Sequence, residues 1–172
     1  MRNFRQLLPS ITTMIFDCDG VLTNGTIIIT QTDQLRTMHV RDGYAMQYAI
    51  KKGYRIVILS GGRSESIRER LETLGIRDVF LGIERKIETF KDFVKQNDLS
   101  TDEILYMGDD IPDYEVMKQC GVACCPADAA EEIKSISHYI SPVVGGKGCV
   151  RDIIEQVMKI RGDWMNDEAF SW

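Results

Sequence analysis

Asp17 and Asp19 stand two residues apart, straight after the apolar run Met14-Ile15-Phe16, and Gly20 follows at once. In extended backbone, residues i and i+2 face the same way, so both carboxylates can point into one site. Like charges repel, and desolvation at a buried strand end makes the repulsion worse, so the pair needs a chemical reason. A carboxylate is ionised at pH 7 and can attack phosphorus without a base, giving an acyl phosphate. A second carboxylic acid can protonate the leaving oxygen and then, as its conjugate base, activate water. Phosphoryl transfer is the chemistry that suits such a pair.

Three later segments carry complementary parts. Ser60-Gly61-Gly62 follows the apolar run at 55–59, Gly108-Asp109-Asp110 follows the run at 104–107 with Asp113 one turn on, and Lys86 opens the segment after 79–81. The Ser60 hydroxyl and the Gly61 amide can hydrogen-bond phosphoryl oxygens, and Lys86 can balance the charge of the transferring group. Asp109 adds a third acid and Asp113 a fourth. So much negative charge calls for a cation, and an all-oxygen set suits Mg²⁺. Each segment alone has a plainer reading: a surface turn, a loop, a solvated helix lysine, caps for the helix after Pro112. Their order, each beside a strand end, sets them apart.

The elements that would position these residues alternate. Ile11–Phe16 reads as a buried strand, and Thr26–Thr30 and Leu35–Val40 as a hairpin around the polar turn Gln31–Gln34. Asp42–Lys52 reads as a helix capped by Asp42 and stopped by Gly53. Arg55–Leu59 is a strand, followed by a helix with Ser64 as N-cap and Ile67, Leu71 and Leu74 on one stripe. Strand Val79–Leu81, a helix through Ile87, Phe90 and Val94, strand Ile104–Met107, a helix opened by Pro112, strands Val122–Cys124 and Tyr139–Ile140, and a last helix through Val150–Met158 complete the order. Strands alternating with helices predict a single α/β domain over residues 1–172, of Rossmann-like architecture: a mostly parallel sheet with helices on both faces. A β-hairpin at about 24–40 and a C-terminal tail at about 163–172 are its additions. In such sheets ligands bind beyond the carboxyl ends of the strands, where the four segments above converge.

Composition narrows the partners. The chain is 44% hydrophobic and 27% charged, an ordinary globular profile, and its 172 residues suit one domain. Net charge is -5 with no basic run, which argues against nucleic acid and anionic membrane. No segment approaches the roughly 20 apolar residues of a membrane span, and the N-terminal stretch lacks a signal-peptide core. The five cysteines follow no framework spacing, so free thiols in a reducing cytoplasm are expected. Cys120, Cys124 and Cys125 lack the second Cys/His pair of a zinc site and read as part of a core strand. His39 and His138 carry no motif.

The motif set Asp17-Cys18-Asp19-Gly20-Val21-Leu22-Thr23, an apolar strand ending in Ser60-Gly61, Lys86, and Gly108-Asp109-Asp110-x-x-Asp113 resembles the haloacid dehalogenase superfamily of phosphohydrolases, over roughly Thr12 to Gly162. The resemblance implies Asp17 as nucleophile, Asp19 as general acid and base, Ser60 as phosphate ligand and Lys86 as charge-balancing cation. It implies Mg²⁺ held by Asp17, the backbone carbonyl of Asp19, and Asp109, with Asp113 in support. Between Asp19 and Ser60 there is room only for a hairpin and one helix, and between Lys86 and Asp109 only for one helix, so no cap domain is expected. More narrowly, Asp19–Gly25, Val40-Arg41-Asp42-Gly43-Tyr44 and Gly145–Asp152 resemble the 3-deoxy-D-manno-octulosonate (KDO) 8-phosphate phosphatases of lipopolysaccharide synthesis. That implies a small phosphorylated sugar acid as substrate and a homotetramer whose hairpins and tails cover a neighbour's site.

Arg41 can meet a substrate carboxylate or simply pair with a surface acid. Lys147, in the glycine-rich stretch 145–148, can reach an anionic substrate from a mobile loop, or merely precede the last helix. One departure bears on the substrate. Where many relatives carry Thr-Gly-Arg-Lys, this chain has Ser60-Gly61-Gly62-Arg63. The hydroxyl is kept, but Gly62 removes a cation near the substrate, and whether Arg63 replaces it stays open. In the tail, Trp164, Phe170 and Trp172 either pack on a neighbouring subunit or fray. The rival expectations are a phosphatase of a nine-carbon sialic-acid-like 9-phosphate, a phosphorylation-dependent receiver, and an inactive structural domain. A receiver places its accepting aspartate at the end of the third strand, where this chain has Ser60.

Overall fold

The computed structural model describes residues 3–31 and 34–171. The chain runs α1 Phe4–Leu7, β1 Thr13–Phe16, β2 Ile28–Ile29, β3 Gln34–Leu35, α2 Val40–Lys51, β4 Arg55–Leu59, α3 Glu65–Thr73, β5 Asp78–Phe80, α4 Lys86–Gln96, β6 Ile104–Met107, α5 Tyr114–Met117, β7 Val122–Cys125, α6 Glu131–Ile136, β8 Tyr139–Ile140 and α7 Cys149–Arg161. Six strands form one sheet in the order β5-β4-β1-β6-β7-β8, and every pairing is parallel. β2 and β3 pair antiparallel as a separate hairpin.

Burial explains the sheet. β1, β6 and β7 are buried at every residue, as strands covered on both faces must be. Alternation divides their side chains between two cores. Met14, Phe16, Leu105, Met107, Val122 and Cys124 pack with α2, α3 and α7. Ile15, Ile104, Tyr106, Ala123 and Cys125 pack with α4, α5 and α6. β1 lies at the centre, and the chain crosses from β5 on one side of it to β6 on the other. That reversal opens a crevice beyond the carboxyl ends of β1, β4 and β6.

The sequence-predicted elements are recovered with adjusted ends. β1 starts at Thr13 rather than Ile11, and the hairpin strands shrink to two residues each, because Ile28, Ile29 and Leu35 have no second layer to lie on. Thr32 and Asp33 of the predicted turn lie outside the described residues. Helix α6 escaped prediction: it is short, and Ile133 is its one buried residue. Asp42 does not cap α2, which begins at Val40 after His39. Its carboxylate accepts instead from the Arg151 amide at 2.7 Å, capping the first turn of α7 from outside. Burial pushes this acid up to about 6 against that hydrogen bond. Part of the tail packs on its own chain. Trp164 packs edge-on against Tyr48 of α2, the Tyr48 hydroxyl donates to the Asp163 carbonyl at 3.0 Å, and the Tyr44 hydroxyl donates to the Ala169 carbonyl. Phe170 is 77% exposed, and Trp172 lies outside the described residues.

All five cysteines are buried and free, and burial pushes every thiol upward. Cys120, Cys124 and Cys125 form no metal-binding group among the described residues. A thiol-reactive aryl disulfide should therefore label none of the five in the native protein and all of them in denaturant. Rapid labelling of the native protein would contradict the packing described here.

Candidate active site

Alternation along β1 decides where Asp17 points. Ile15 belongs to the α4 side of the sheet and Phe16 to the other, so the Asp17 side chain returns to the α4 side. Lys86, the first residue of α4, meets it there. Its Nζ lies 2.9 Å from Asp17 Oδ1 and 2.7 Å from Asp113 Oδ1. All three residues are buried, Asp17 at 7% exposure. Tyr106 of β6 donates its hydroxyl to Asp113 Oδ1 at 2.6 Å, and the Asp109 amide donates to Asp113 Oδ2 at 3.2 Å. Asp113 is thus committed to structure, while Asp17 and Asp109 keep oxygens facing the crevice.

Carboxylate oxygens of Asp17, Asp109 and Asp113 lie within 4.8 Å of one another. Asp109 Oδ1 is buried with no hydrogen-bond partner among the described residues. A buried carboxylate oxygen without a donor is costly unless a cation meets it. Burial, reinforced by the charges of Asp17 and Asp113, pushes Asp109 up to about 8. Burial and Asp113 likewise push Asp17 up to about 6, against the pull of Lys86. Burial opposes the Lys86 charge too, but Asp113 and Asp17 outweigh it and raise its pKa. This oxygen-only set with an unmatched negative charge fits Mg²⁺.

The other predicted residues divide into those the fold brings here and those it does not. Gly20 turns the chain after Asp19 with φ +94°, and any Cβ there would collide with the Asp109 carboxylate, so the loop lies against the acids. Ser60 is buried at the end of β4, and its hydroxyl accepts from the Gly62 amide at 3.2 Å. Asp17, Asp19, Ser60, Gly61, Gly62, Lys86, Asp109 and Asp113 line one crevice of about 410 Å³. A larger hollow of about 810 Å³ lies at the amino ends of β4 and β5 and is lined by none of these residues.

The Asp19 carboxylate is not in the acidic group. Arg36, from the hairpin, binds it with Nε at 2.6 Å from Oδ1 and Nη2 at 3.1 Å from Oδ2. Sequence reasoning missed Arg36 because only the register of the hairpin shows where it points. Tyr106 was missed for a similar reason: it reads as one more apolar strand residue. Arg63 does not take the place that Gly62 vacates; it lies against Gly82 and does not line the crevice. Arg41 and Lys147 come together with His39 and Arg151 in a separate cleft of about 300 Å³. Nor does the stretch 145–148 line the crevice. The Gly145 amide donates to Asp128 Oδ1 at 2.9 Å and the Gly146 amide to the Val21 carbonyl at 2.9 Å, which straps the loop to the segment after Gly20.

Comparison with known proteins agrees with this geometry. A profile of the haloacid dehalogenase-like hydrolases matches residues 84–151. The chain is 30% identical over 154 residues to the KDO 8-phosphate phosphatase of Yersinia pestis, covering 89% of this chain and 82% of that one. It superposes on the cobalt-bound phosphatase of that type from Haemophilus influenzae with a TM-score of 0.90 at 30% identity, covering 96% and 99% of the two chains. It superposes on the Moraxella catarrhalis KDO 8-phosphate phosphatase, solved with magnesium, phosphate and KDO, with a TM-score of 0.91 at 26% identity, covering 95% of each. A shared fold over almost the full length, with 30% identity, carries the assignment: the chain belongs to the haloacid dehalogenase-like hydrolases and is a phosphatase, with no cap domain among its described residues.

Proposed function

We propose that this single-domain enzyme is a Mg²⁺-dependent phosphomonoesterase that hydrolyses KDO 8-phosphate through an aspartyl-phosphate at Asp17. The observation that carries the chemistry is the meeting of Asp17, Asp109, Asp113 and Lys86 at the strand ends, with one Asp109 oxygen buried and unmatched. The relatives named above support the substrate.

In the first step an Asp17 oxygen attacks phosphorus, the ester P–O bond breaks, and the leaving oxygen takes a proton from Asp19, giving alcohol and aspartyl-phosphate. In the second step Asp19, now a carboxylate, takes a proton from water as that water attacks phosphorus. The bond from Asp17 to phosphorus breaks, releasing phosphate and restoring both acids. Lys86 offsets the charge on Asp17 and on the incoming phosphoryl group, while Ser60 and the Gly61 amide bind phosphoryl oxygens. Asp17, Asp109 and the backbone carbonyl of Asp19 would hold Mg²⁺, with Asp113 orienting Asp109 and Lys86 behind them. When bound, the ion supplies positive charge to the transferring group.

The raised carboxyls predict how metal-free protein responds to pH. Asp17 and Asp109 rise from 3.8 to about 6 and about 8 on folding, so the folded form holds more protons between those values. Their contribution to stability is full below about pH 4 and is lost as pH climbs through about 6 and then about 8. The unfolding midpoint of metal-free protein should fall across this window, and Mg²⁺ should recover it most at the alkaline end. A midpoint indifferent to Mg²⁺ would remove the metal from the account.

Substrate choice is tested by phosphate release with Mg²⁺ from KDO 8-phosphate, a nine-carbon sugar-acid 9-phosphate and common hexose phosphates. Preference for the eight-carbon acid supports the proposal. Preference for the nine-carbon acid keeps the chemistry and selects the second reading. We further propose a cytoplasmic homotetramer, supported by the free thiols and by the hairpin, where Ile29 is 80% exposed.

A further inference from the structure

We infer that Arg36 is the positioning residue for Asp19, and that Gly62 is the gap through which it acts. The side chain of Arg36 is 3% exposed although it comes from an exposed hairpin. It enters a recess among Cys18, Ser60, Gly62, Ser64, Ile67 and Leu81 and grips both oxygens of Asp19. A planar guanidinium makes this two-point contact with a carboxylate and fixes its plane as well as its position. Arg36 Nη1 also donates to the Gln34 carbonyl at 3.2 Å, so the fork is braced by its own strand.

Gly62 belongs to the same arrangement. A Cβ at that position would stand 2.7 Å from Asp19 Oδ2 and 3.2 Å from Arg36 Nη2. Any side chain there would push the pair apart. The residue that removes one cation from the loop after β4 therefore admits another from the hairpin.

The grip leaves one defined oxygen for chemistry. A carboxylate has about four acceptor sites. On Oδ1 they are taken by Arg36 Nε and, at 3.3 Å, by the Thr23 hydroxyl. On Oδ2 Arg36 takes one and leaves the other open. Oδ2, the oxygen beside Gly62 on the crevice wall, is the atom that carries the proton to the leaving group and takes one from water.

This inference rests on Asp19 being the acid and base proposed above, and the test separates the two. kcat/KM is measured for KDO 8-phosphate, or for the fastest hexose phosphate if that is not turned over, and for p-nitrophenyl phosphate, whose leaving group needs no proton. The proteins compared are the wild type, Asp19→Asn, Arg36→Gln, Arg36→Lys and Gly62→Ala. Loss of an aligned proton donor should lower kcat/KM on the alkyl ester by about ten- to a hundred-fold in Arg36→Gln, and much less on the aryl ester. Gly62→Ala should show the same selectivity, and Arg36→Lys should recover part of the loss. Equal losses on both esters, or none, in Arg36→Gln would overturn the positioning role. If Asp19→Asn itself keeps full activity on the alkyl ester, the acid–base assignment fails instead. Unchanged thermal midpoints of the variants confirm that each loss is local.

Discussion

Asp17→Asn should abolish turnover and leave the fold intact. The amide keeps the size of the side chain but is no nucleophile toward phosphorus, and removal of a covalent nucleophile costs on the order of 10⁴-fold or more. Structure gives little reason for collapse. Asp17 is buried, crowded by Asp113 and held up to about 6, so at neutral pH its charge is a burden on the metal-free fold. Lys86 retains Asp113 at 2.7 Å when the charge at position 17 is gone. The variant should therefore unfold at a midpoint no lower than the wild type in the absence of metal, while phosphate release falls to background. Retained turnover would show that another group attacks.

Lys86→Met should damage both stability and activity. Among the described residues the ammonium is the one cationic group between Asp17 and Asp113, both buried. Taking one partner from a buried ion cluster leaves uncompensated charge, at a cost of about 3–5 kcal/mol. For a chain of this size that is a fall in midpoint of roughly 10 °C. The loss has a pH signature. Without Lys86 the acids can relieve their repulsion only by protonation, so the deficit should shrink as the solution is acidified. A deficit that is equal in acid and at neutral pH would identify lost packing rather than lost charge. Phosphate release should fall by about 10²-fold or more, since the same ammonium balances the transferring group.

The chemistry of the site was more legible in the sequence than its geometry. Asp17 and Ser60 sit directly after apolar strands and Asp109 one residue beyond another, and parallel topology alone sends all strand ends to one rim; the observed order with β1 between β4 and β6 adds only which neighbours they have. Lys86 was readable because a helix start must follow β5. Residues whose role depends on register or on distant backbone were not readable. Asp42 looks like a cap for its own helix, yet caps α7 more than a hundred residues away in the chain. Lys147 looks like a reaching cation, yet the Gly145 and Gly146 amides before it are strapped to Asp128 and Val21. Arg36 gave no signal, because a hairpin of two-residue strands has no periodicity from which to assign a face. The loss of an arginine at Gly62 was visible as a departure; its counterpart in Arg36 required the three-dimensional contact.

The measurement that bears most directly on the account is chemical trapping of the intermediate. Enzyme mixed with Mg²⁺ and substrate is quenched within one turnover and reduced with borohydride, which converts an acyl phosphate to an alcohol. The peptide containing residue 17 is then examined by mass spectrometry. Homoserine is expected at Asp17, with Asp19, Asp109 and Asp113 unmodified. Reduction at one of those other acids, or phosphate recovered on Ser60, would contradict it.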